Sequence, residues 1–203
     1  MRRIVAAGLW IFVLASNAAA QQSSNTEADV GPALGHEELV WTGVGADPIG
    51  TDGVTQGNIA WTVGLRYGWV LTEPHGPGAL RGRFEYAIDA VPMVVVFQPV
   101  ANAYGFAFVP WVLKWNFERH GRVQPYIEIG GGAVISARQI PDGAGRFNFM
   151  PTGAVGFNLL RGKYHWSVEF RYLHISDASL TAFNPGTDTF GIRLGWGKFA
   201  HRK

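Results

Sequence analysis

Cysteine is absent from the chain of 203 residues, which excludes disulfides, thiolate zinc sites and a cysteine nucleophile. The chain also lacks an excess of one charge: 17 basic and 15 acidic residues give a formal net charge of +2, which provides no argument for a nucleic-acid partner. Five histidines are scattered without ligand spacing: His36, His75, His120, His165 and His201. The stretch GGGA at 130–133 lacks the residues of a phosphate-binding loop. We therefore predict no metal and no cofactor.

Long apolar runs are also missing. Residues 1–20 have the pattern of a secretory signal peptide, because Arg2 and Arg3 precede an apolar core and Ala18–Ala20 fits a cleavage site. The core is shorter than the ~20 residues of a membrane-spanning helix. Residues 21–35 are small and polar, which predicts a loose N-terminal segment, and 36–203 remain for one domain.

Most of the remaining sequence alternates bulky apolar with small or polar residues. In 60–71, for example, Trp61, Leu65 and Trp69 share one parity, while Thr62 and Arg66 have the other. A period of two places each set on one face of a strand. The pattern predicts eight strands of roughly ten residues, as tilted membrane strands require, at 38–45, 60–71, 81–90, 106–117, 126–135, 147–159, 164–176 and 188–196.

The links between these segments alternate in length, as in outer-membrane barrels with long extracellular loops. They are long or turn-rich after the first, third, fifth and seventh segments and short after the fourth and sixth. The apolar run 91–100 is interpreted as a strand end followed by a hydrophobic loop.

Which face points outward decides between a membrane barrel and a soluble lipocalin-like barrel. The bulky face, with Val109, Trp111, Leu113 and Trp115 in the fourth segment, would overfill the narrow interior of eight strands. The opposite face carries residues that can form a paired polar interior: Arg66, Arg81, Arg83, Glu85, Asp89, Lys114, Glu128, Glu169, Arg171 and Arg193. We predict an all-β fold, an eight-stranded antiparallel transmembrane up-and-down β-barrel with a polar, side-chain-filled interior.

Three polar residues interrupt the outward face of the last two strands at one end. His174 and Ser176 follow Tyr172 on one parity, and Asp188 begins the next strand. A histidine can activate a serine hydroxyl, and an acid can orient the imidazole, which suits acyl transfer to water. Asn184 is a candidate oxyanion donor, although Asn-Pro-Gly at 184–186 is also a turn signal. The alternative is that these residues lie above the hydrocarbon without a catalytic role.

The stretch HISDASL at 174–180 resembles the H-x-S-N-A-x-L motif of the lipid A 3-O-deacylase family of outer-membrane barrels. His174, Ser176, Ala178 and Leu180 match the motif, and Asn184 and Asp188 have the spacing of the family's Asn and Glu. The resemblance implies a serine hydrolase site that faces the lipid of the Gram-negative outer membrane. It further implies removal of the ester-linked acyl chain at the 3-position of lipid A, with lipopolysaccharide as substrate.

Two departures from the motif affect the site. Asp188 replaces the family's Glu, and Asp177 replaces the Asn after the serine, so Asp177 is a second candidate for the acid that orients His174. Two other functions stay open from the sequence: a non-enzymatic outer-membrane barrel for adhesion or envelope integrity, and a soluble lipid-binding barrel. A homodimer is also left open.

Overall fold

The computed structural model describes residues 35–48, 55 and 57–201. The predicted signal peptide and nearly all of the predicted loose segment lie outside the described residues. Gly35, which we assigned to that segment, begins the first strand. The strands are β1 (Gly35–Ala46), β2 (Ile59–Val70), β3 (Gly82–Phe97), β4 (Ala103–Phe117), β5 (Val123–Ser136), β6 (Phe147–Phe149), β7 (Thr152–Arg161), β8 (Tyr164–Ile175) and β9 (Thr187–His201). A single 3₁₀ turn, Gly78–Leu80, precedes β3.

All strand pairs are antiparallel, and they close into a barrel. The order is β4-β3-β2-β1-β9-β8-β7-β5, and β4 pairs with β5 to complete the ring. The short β6 and the longer β7 both pair with β5 in one register, so together they form one barrel strand. Between them, Met150 still exchanges hydrogen bonds with Gly132 at 2.8 and 3.3 Å, and the ladder is interrupted at Pro151. Proline lacks the N–H that a ladder requires. The prediction of eight antiparallel strands is confirmed, and the predicted segment 147–159 is one barrel strand that is divided at Met150 and Pro151 into β6 and β7.

The links define two ends of the barrel. The links 47–58, 98–102, 137–146 and 176–186 lie at what we call the upper end. The links 71–81, 118–122 and 162–163 lie at the lower end, with both ends of the described chain. The alternation in link length is weaker than predicted, because β3 and β4 extend upward and leave only 98–102 between them. The apolar run 91–100 is therefore mainly strand and not a loop.

The bulky apolar face points outward, as predicted. Trp166 is 59 % exposed and Leu65 is 56 % exposed, whereas charged residues of the opposite parity are buried. Inside, Arg66 contacts Asp89 at 2.7 Å and Glu128 at 2.6 Å, and Arg193 contacts Glu169 at 2.7 Å. Buried charges of this kind require partners. The polar, paired interior is confirmed, and the barrel presents an apolar band to its surroundings.

Some residues depart from the predicted faces. The β4 register shifts between Phe108 and Trp111, so Phe108 and Trp111 point outward and Val109 points inward. Our placement of Val109 on the outward face was wrong because this β-bulge changes the parity. Arg81 does not join the interior network, since it pairs with Glu118 at the exposed lower end.

The upper part of the interior is apolar instead of charged. A cluster of buried side chains fills it beneath the upper links, including Val91, Val94, Val96, Ala103, Ala107, Val134, Ile140, Met150, Leu173 and Ile175. No helix within the described residues is long and apolar enough to cross a membrane.

Candidate active site

The candidate site forms where β8 leaves the ladder at the upper end. Leu173, Ile175 and Asp177 point inward and are buried, so His174 and Ser176 have the outward parity. Ser176 lies just beyond β8, but its backbone forms two hydrogen bonds with Phe149 of β6. Ser176 N donates to Phe149 O at 3.2 Å, and Phe149 N donates to Ser176 O at 2.7 Å. This bridge keeps the chain extended through Ser176, which holds the imidazole and the hydroxyl on one face.

A continuous hydrogen-bonded chain links the three predicted residues. His174 and Asp188 are direct partners in the β8–β9 register. The imidazole Nδ1 lies 2.8 Å from Asp188 Oδ1, and Nε2 lies 2.8 Å from Ser176 Oγ. In a neutral imidazole, Nδ1–H donates to the carboxylate and Nε2 accepts from the hydroxyl. This is the arrangement that activates a serine nucleophile.

Two further groups hold Asp188, and sequence analysis missed both. The Tyr172 hydroxyl donates to Asp188 Oδ1 at 2.5 Å, and Asp188 N donates to the buried carboxylate of Asp47 at 3.2 Å. Tyr172 could have been found, because it lies two residues before His174 on the same face of β8. Asp47 gives no such signal, because it lies in a distant upper link and meets β9 only in the closed barrel.

Asp177 has a different role from Asp188. Its carboxylate accepts hydrogen bonds from Ser179 N at 3.0 Å and from the Thr181 hydroxyl, so it organises the turn after Ser176. It is not one of the two side chains bonded to the imidazole. Ala178 and Ser179 have φ values of 52° and 65°, a conformation that non-glycine residues seldom adopt. The turn is thus strained next to the candidate nucleophile.

The returning part of the link 176–186 packs against the site. Asn184 Oδ1 accepts a hydrogen bond from Asp177 N at 3.2 Å, which orients the carboxamide. Gly186 has φ +70°, and a Cβ on it would lie 2.8 Å from His174 Cε1. Only glycine therefore fits this position without displacing the imidazole. Among the described residues, no group of three or more histidine or acidic side chains is arranged to hold a metal ion.

An apolar groove of about 590 Å³ runs down the outer wall from the site. Tyr172 lies at its upper edge, and Phe170, Val155 and Ile129 also line it. Gly153 pairs with both Tyr172 and Ile129, and a Cβ on it would meet no atom within 4 Å, so the groove is open at this point. A second outer groove, of about 650 Å³, is lined by Tyr164, Trp196 and Lys198 near the lower end and does not include the site.

Comparison with solved structures supports the fold. The crystal structure of the outer membrane enzyme PagL matches with a TM-score of 0.60 and 21% identity, over 77% of this chain and 97% of that one. The outer membrane protein OprG from Pseudomonas aeruginosa matches with a TM-score of 0.54 and 14% identity, over 85% of this chain and 99% of that one. Comparison with curated protein sequences gives no match.

The family of the chain is established by comparing its sequence with models of protein families. Residues 55–197, more than half of the chain, match the family model described as lipid A 3-O-deacylase (PagL). The outward apolar band and the closed eight-stranded barrel agree with this match. The chain therefore belongs to the lipid A 3-O-deacylase (PagL) family of lipid A deacylases and is an outer-membrane β-barrel of the Gram-negative type.

Proposed function

We propose that the protein hydrolyses the ester-linked acyl chain at the 3-position of lipid A in the outer leaflet, with Ser176 as nucleophile. The observation that carries this proposal is the hydrogen-bonded chain from Ser176 through His174 to Asp188 on the outward face. The upper end is then extracellular, and the site lies where the ester bonds of lipopolysaccharide meet the barrel.

The residues have distinct roles in the proposed reaction. His174 Nε2 takes the proton of the Ser176 hydroxyl as Oγ attacks the ester carbonyl carbon. Asp188 stabilises the imidazolium and holds its orientation. When the tetrahedral intermediate collapses, the C–O bond to the sugar breaks and His174 gives the proton to the sugar oxygen. A water molecule, deprotonated by His174, then attacks the acyl-serine, and the fatty acid leaves as Ser176 regains its proton.

Asn184 is the proposed oxyanion donor. Its Oδ1 accepts from Asp177 N, so the Nδ2 amino group is the part of the carboxamide left to donate. Removing a single donor of this kind typically costs ~3 kcal/mol of transition-state stabilisation. The substitution of the family's Asn by Asp177 leaves this contact in place, because the backbone N–H and not the side chain makes it.

The apolar groove below the site offers a place for the acyl chain. The side chains of Ile129, Val155 and Phe170 in its lining are apolar, which suits a hydrocarbon. A chain lying along Gly153 would bring its ester toward Ser176, because Tyr172 connects the groove to the site.

The test uses purified protein in detergent micelles with lipopolysaccharide, and mass spectrometry of the lipid A product. Loss of one hydroxyacyl chain is expected, and fragmentation should assign the loss to the 3-position. Ser176→Ala and His174→Ala should each abolish the loss, whereas Ser179→Ala, a control three residues along the chain, should retain it. Loss of a chain from another position would disprove the 3-position assignment. Unchanged lipid A would instead favour a non-enzymatic barrel for adhesion or envelope integrity.

A further inference from the structure

Two arginines provide all the basic side chains of the upper links in the described part of the chain. Arg138 and Arg146 lie at the two sides of the link 137–146, and both are exposed. No described acidic side chain forms an ion pair with either guanidinium. At the lower end, by contrast, Arg81 pairs with Glu118 at 2.7 Å and Lys198 pairs with Glu38 at 2.9 Å. Within the described residues, the upper rim thus has two positive charges without an acidic side chain paired to them.

Ser136 holds the two arginines side by side. Its buried hydroxyl lies 2.6 Å from the carbonyl oxygen of Arg138 and 3.1 Å from that of Arg146, and its N–H donates to Arg146 O at 2.9 Å. The two side chains therefore start from adjacent points of the backbone. Asp142, the acidic residue of the same link, accepts a hydrogen bond from Val100 N at 3.1 Å, which directs it toward the neighbouring link.

The arginine pair lies above the candidate nucleophile. Arg146 directly precedes β6, and Phe149 of β6 bridges Ser176. Three residues of strand place Arg146 about 10 Å further up the wall than Ser176. If an acyl ester of lipid A lies at Ser176, its phosphorylated glucosamine headgroup lies above it, at the level of the arginine pair.

We propose that Arg138 and Arg146 form a binding site for a phosphate group of the lipid A headgroup. The planar guanidinium matches phosphate oxygens through paired N–H donors, and two adjacent guanidinia suit a group with more than one negative charge. The site rests on the proposed function, because it places the headgroup so that the ester reaches Ser176. Its contribution is to substrate binding and not to the chemical step.

The test measures binding in the absence of turnover. Full-length protein with Ser176→Ala, in neutral detergent micelles, is titrated with lipid A and with enzymatically dephosphorylated lipid A. Arg138→Gln with Arg146→Gln should weaken binding of lipid A about tenfold, as expected for loss of exposed charge-assisted hydrogen bonds. Binding of the dephosphorylated lipid should not change. Higher salt should weaken binding of lipid A to the parent protein more than to the arginine variant.

The control is Arg161→Gln, which removes an exposed arginine at the lower end of the same barrel. It should leave binding of both lipids unchanged. If the double arginine variant lost the same affinity for both lipids, or lost no affinity for either, the proposed phosphate site would be wrong. Inorganic phosphate that bound as tightly as lipid A, and lost affinity in the arginine variant, would reassign the site to free phosphate. The binding test measures no hydrolysis, so its outcome does not depend on the proposed reaction. Failure of that reaction is detected in the separate hydrolysis experiment, where the protein with Ser176 would leave lipid A unchanged.

Discussion

Asp188 is the residue at which this chain differs most consequentially from the motif it resembles. An aspartate reaches one methylene less far than the family's glutamate, yet its Oδ1 lies 2.8 Å from His174 Nδ1. The register explains the contact, because Asp188 stands directly opposite His174 on the neighbouring strand. The Cα atoms of such cross-strand partners are ~5 Å apart, which a short side chain can span.

Asp188→Asn should lower kcat by about 10³-fold or more, because an amide cannot hold the imidazole in the required tautomer or stabilise the imidazolium. KM should change little. Asp177→Asn should cost much less activity, since Asp177 contacts the turn and not the imidazole. Steady-state hydrolysis of lipid A in micelles measures both variants. If Asp177→Asn alone abolished turnover while Asp188→Asn retained it, our assignment of the orienting acid would be wrong.

Tyr172 is a positioning residue in this scheme, since it acts on Asp188 and not on substrate. Its hydroxyl and the imidazole share the same carboxylate oxygen, which fixes the carboxylate from two sides. Tyr172→Phe should lower kcat about tenfold at unchanged KM, which corresponds to loss of one hydrogen bond to a charged group. Tyr104→Phe, another outward tyrosine near the upper end, is the control. Equal values of kcat and KM for the two variants would show that Tyr172 does not position Asp188.

The site depends on how the link 176–186 returns to β9. Gly186 has a positive φ and lies against the imidazole. Gly162, in the tight turn between β7 and β8, also has a positive φ of 59°, but a Cβ there would meet nothing within 4 Å. A side chain at either position would thus have to adopt a positive φ, but only a side chain at position 186 would also press against the imidazole of His174.

Gly186→Ala should lower kcat about a hundredfold, because a displacement of the imidazole by ~1 Å is enough for such a loss. Gly162→Ala should leave kcat unchanged. Both variants should lose a similar amount of stability, about 1 kcal/mol, from the positive φ. Kinetics and thermal unfolding in the same detergent separate the two effects. A matched fall in kcat for both glycines would mean that strain, and not contact with His174, is responsible.

Sequence periodicity predicted the strands well where nothing interrupts the ladder. It did not predict the β-bulge at Val109, which shifts the parity by a local backbone distortion that alternation does not encode. It also did not predict the division of the strand at Pro151, which leaves the parity and the register with β5 unchanged. The proximity of His174, Ser176 and Asp188 was predicted because they are polar at outward positions of adjacent strands. The contribution of Asp47 was not predicted, since the contact of its link with β9 depends on how β1 pairs with β9 in the closed barrel.

Buried ion pairs connect opposite walls of the barrel. Arg66 of β2 reaches Glu128 of β5, and Arg193 of β9 reaches Glu128 as well. Lys114 of β4 contacts Glu37 of β1 at 3.0 Å and Glu85 of β3 at 3.5 Å. The contacts of Arg66 and Arg193 with Glu128, and of Lys114 with Glu37, cross the interior. Lys114 and Glu85, by contrast, are direct partners in the β3–β4 ladder. The contacts between non-adjacent strands thus hold the opposite walls of the barrel together.

Lys114→Met tests this role of the interior network. The substitution keeps most of the side-chain volume but leaves Glu37 and Glu85, both completely buried, without their shared cation. Removal of one partner of a buried pair costs about 3–5 kcal/mol, because the remaining charge stays desolvated. Lys198→Met breaks the exposed pair with Glu38 at 2.9 Å, which should cost at most about 1 kcal/mol.

The heat-dependent change in electrophoretic mobility of the barrel gives an unfolding temperature for each variant. A large decrease for Lys114→Met beside a small one for Lys198→Met is expected. Equal decreases would show that the interior charges do not hold the barrel in shape, and the apolar upper cluster and the ladder would then have to account for its stability.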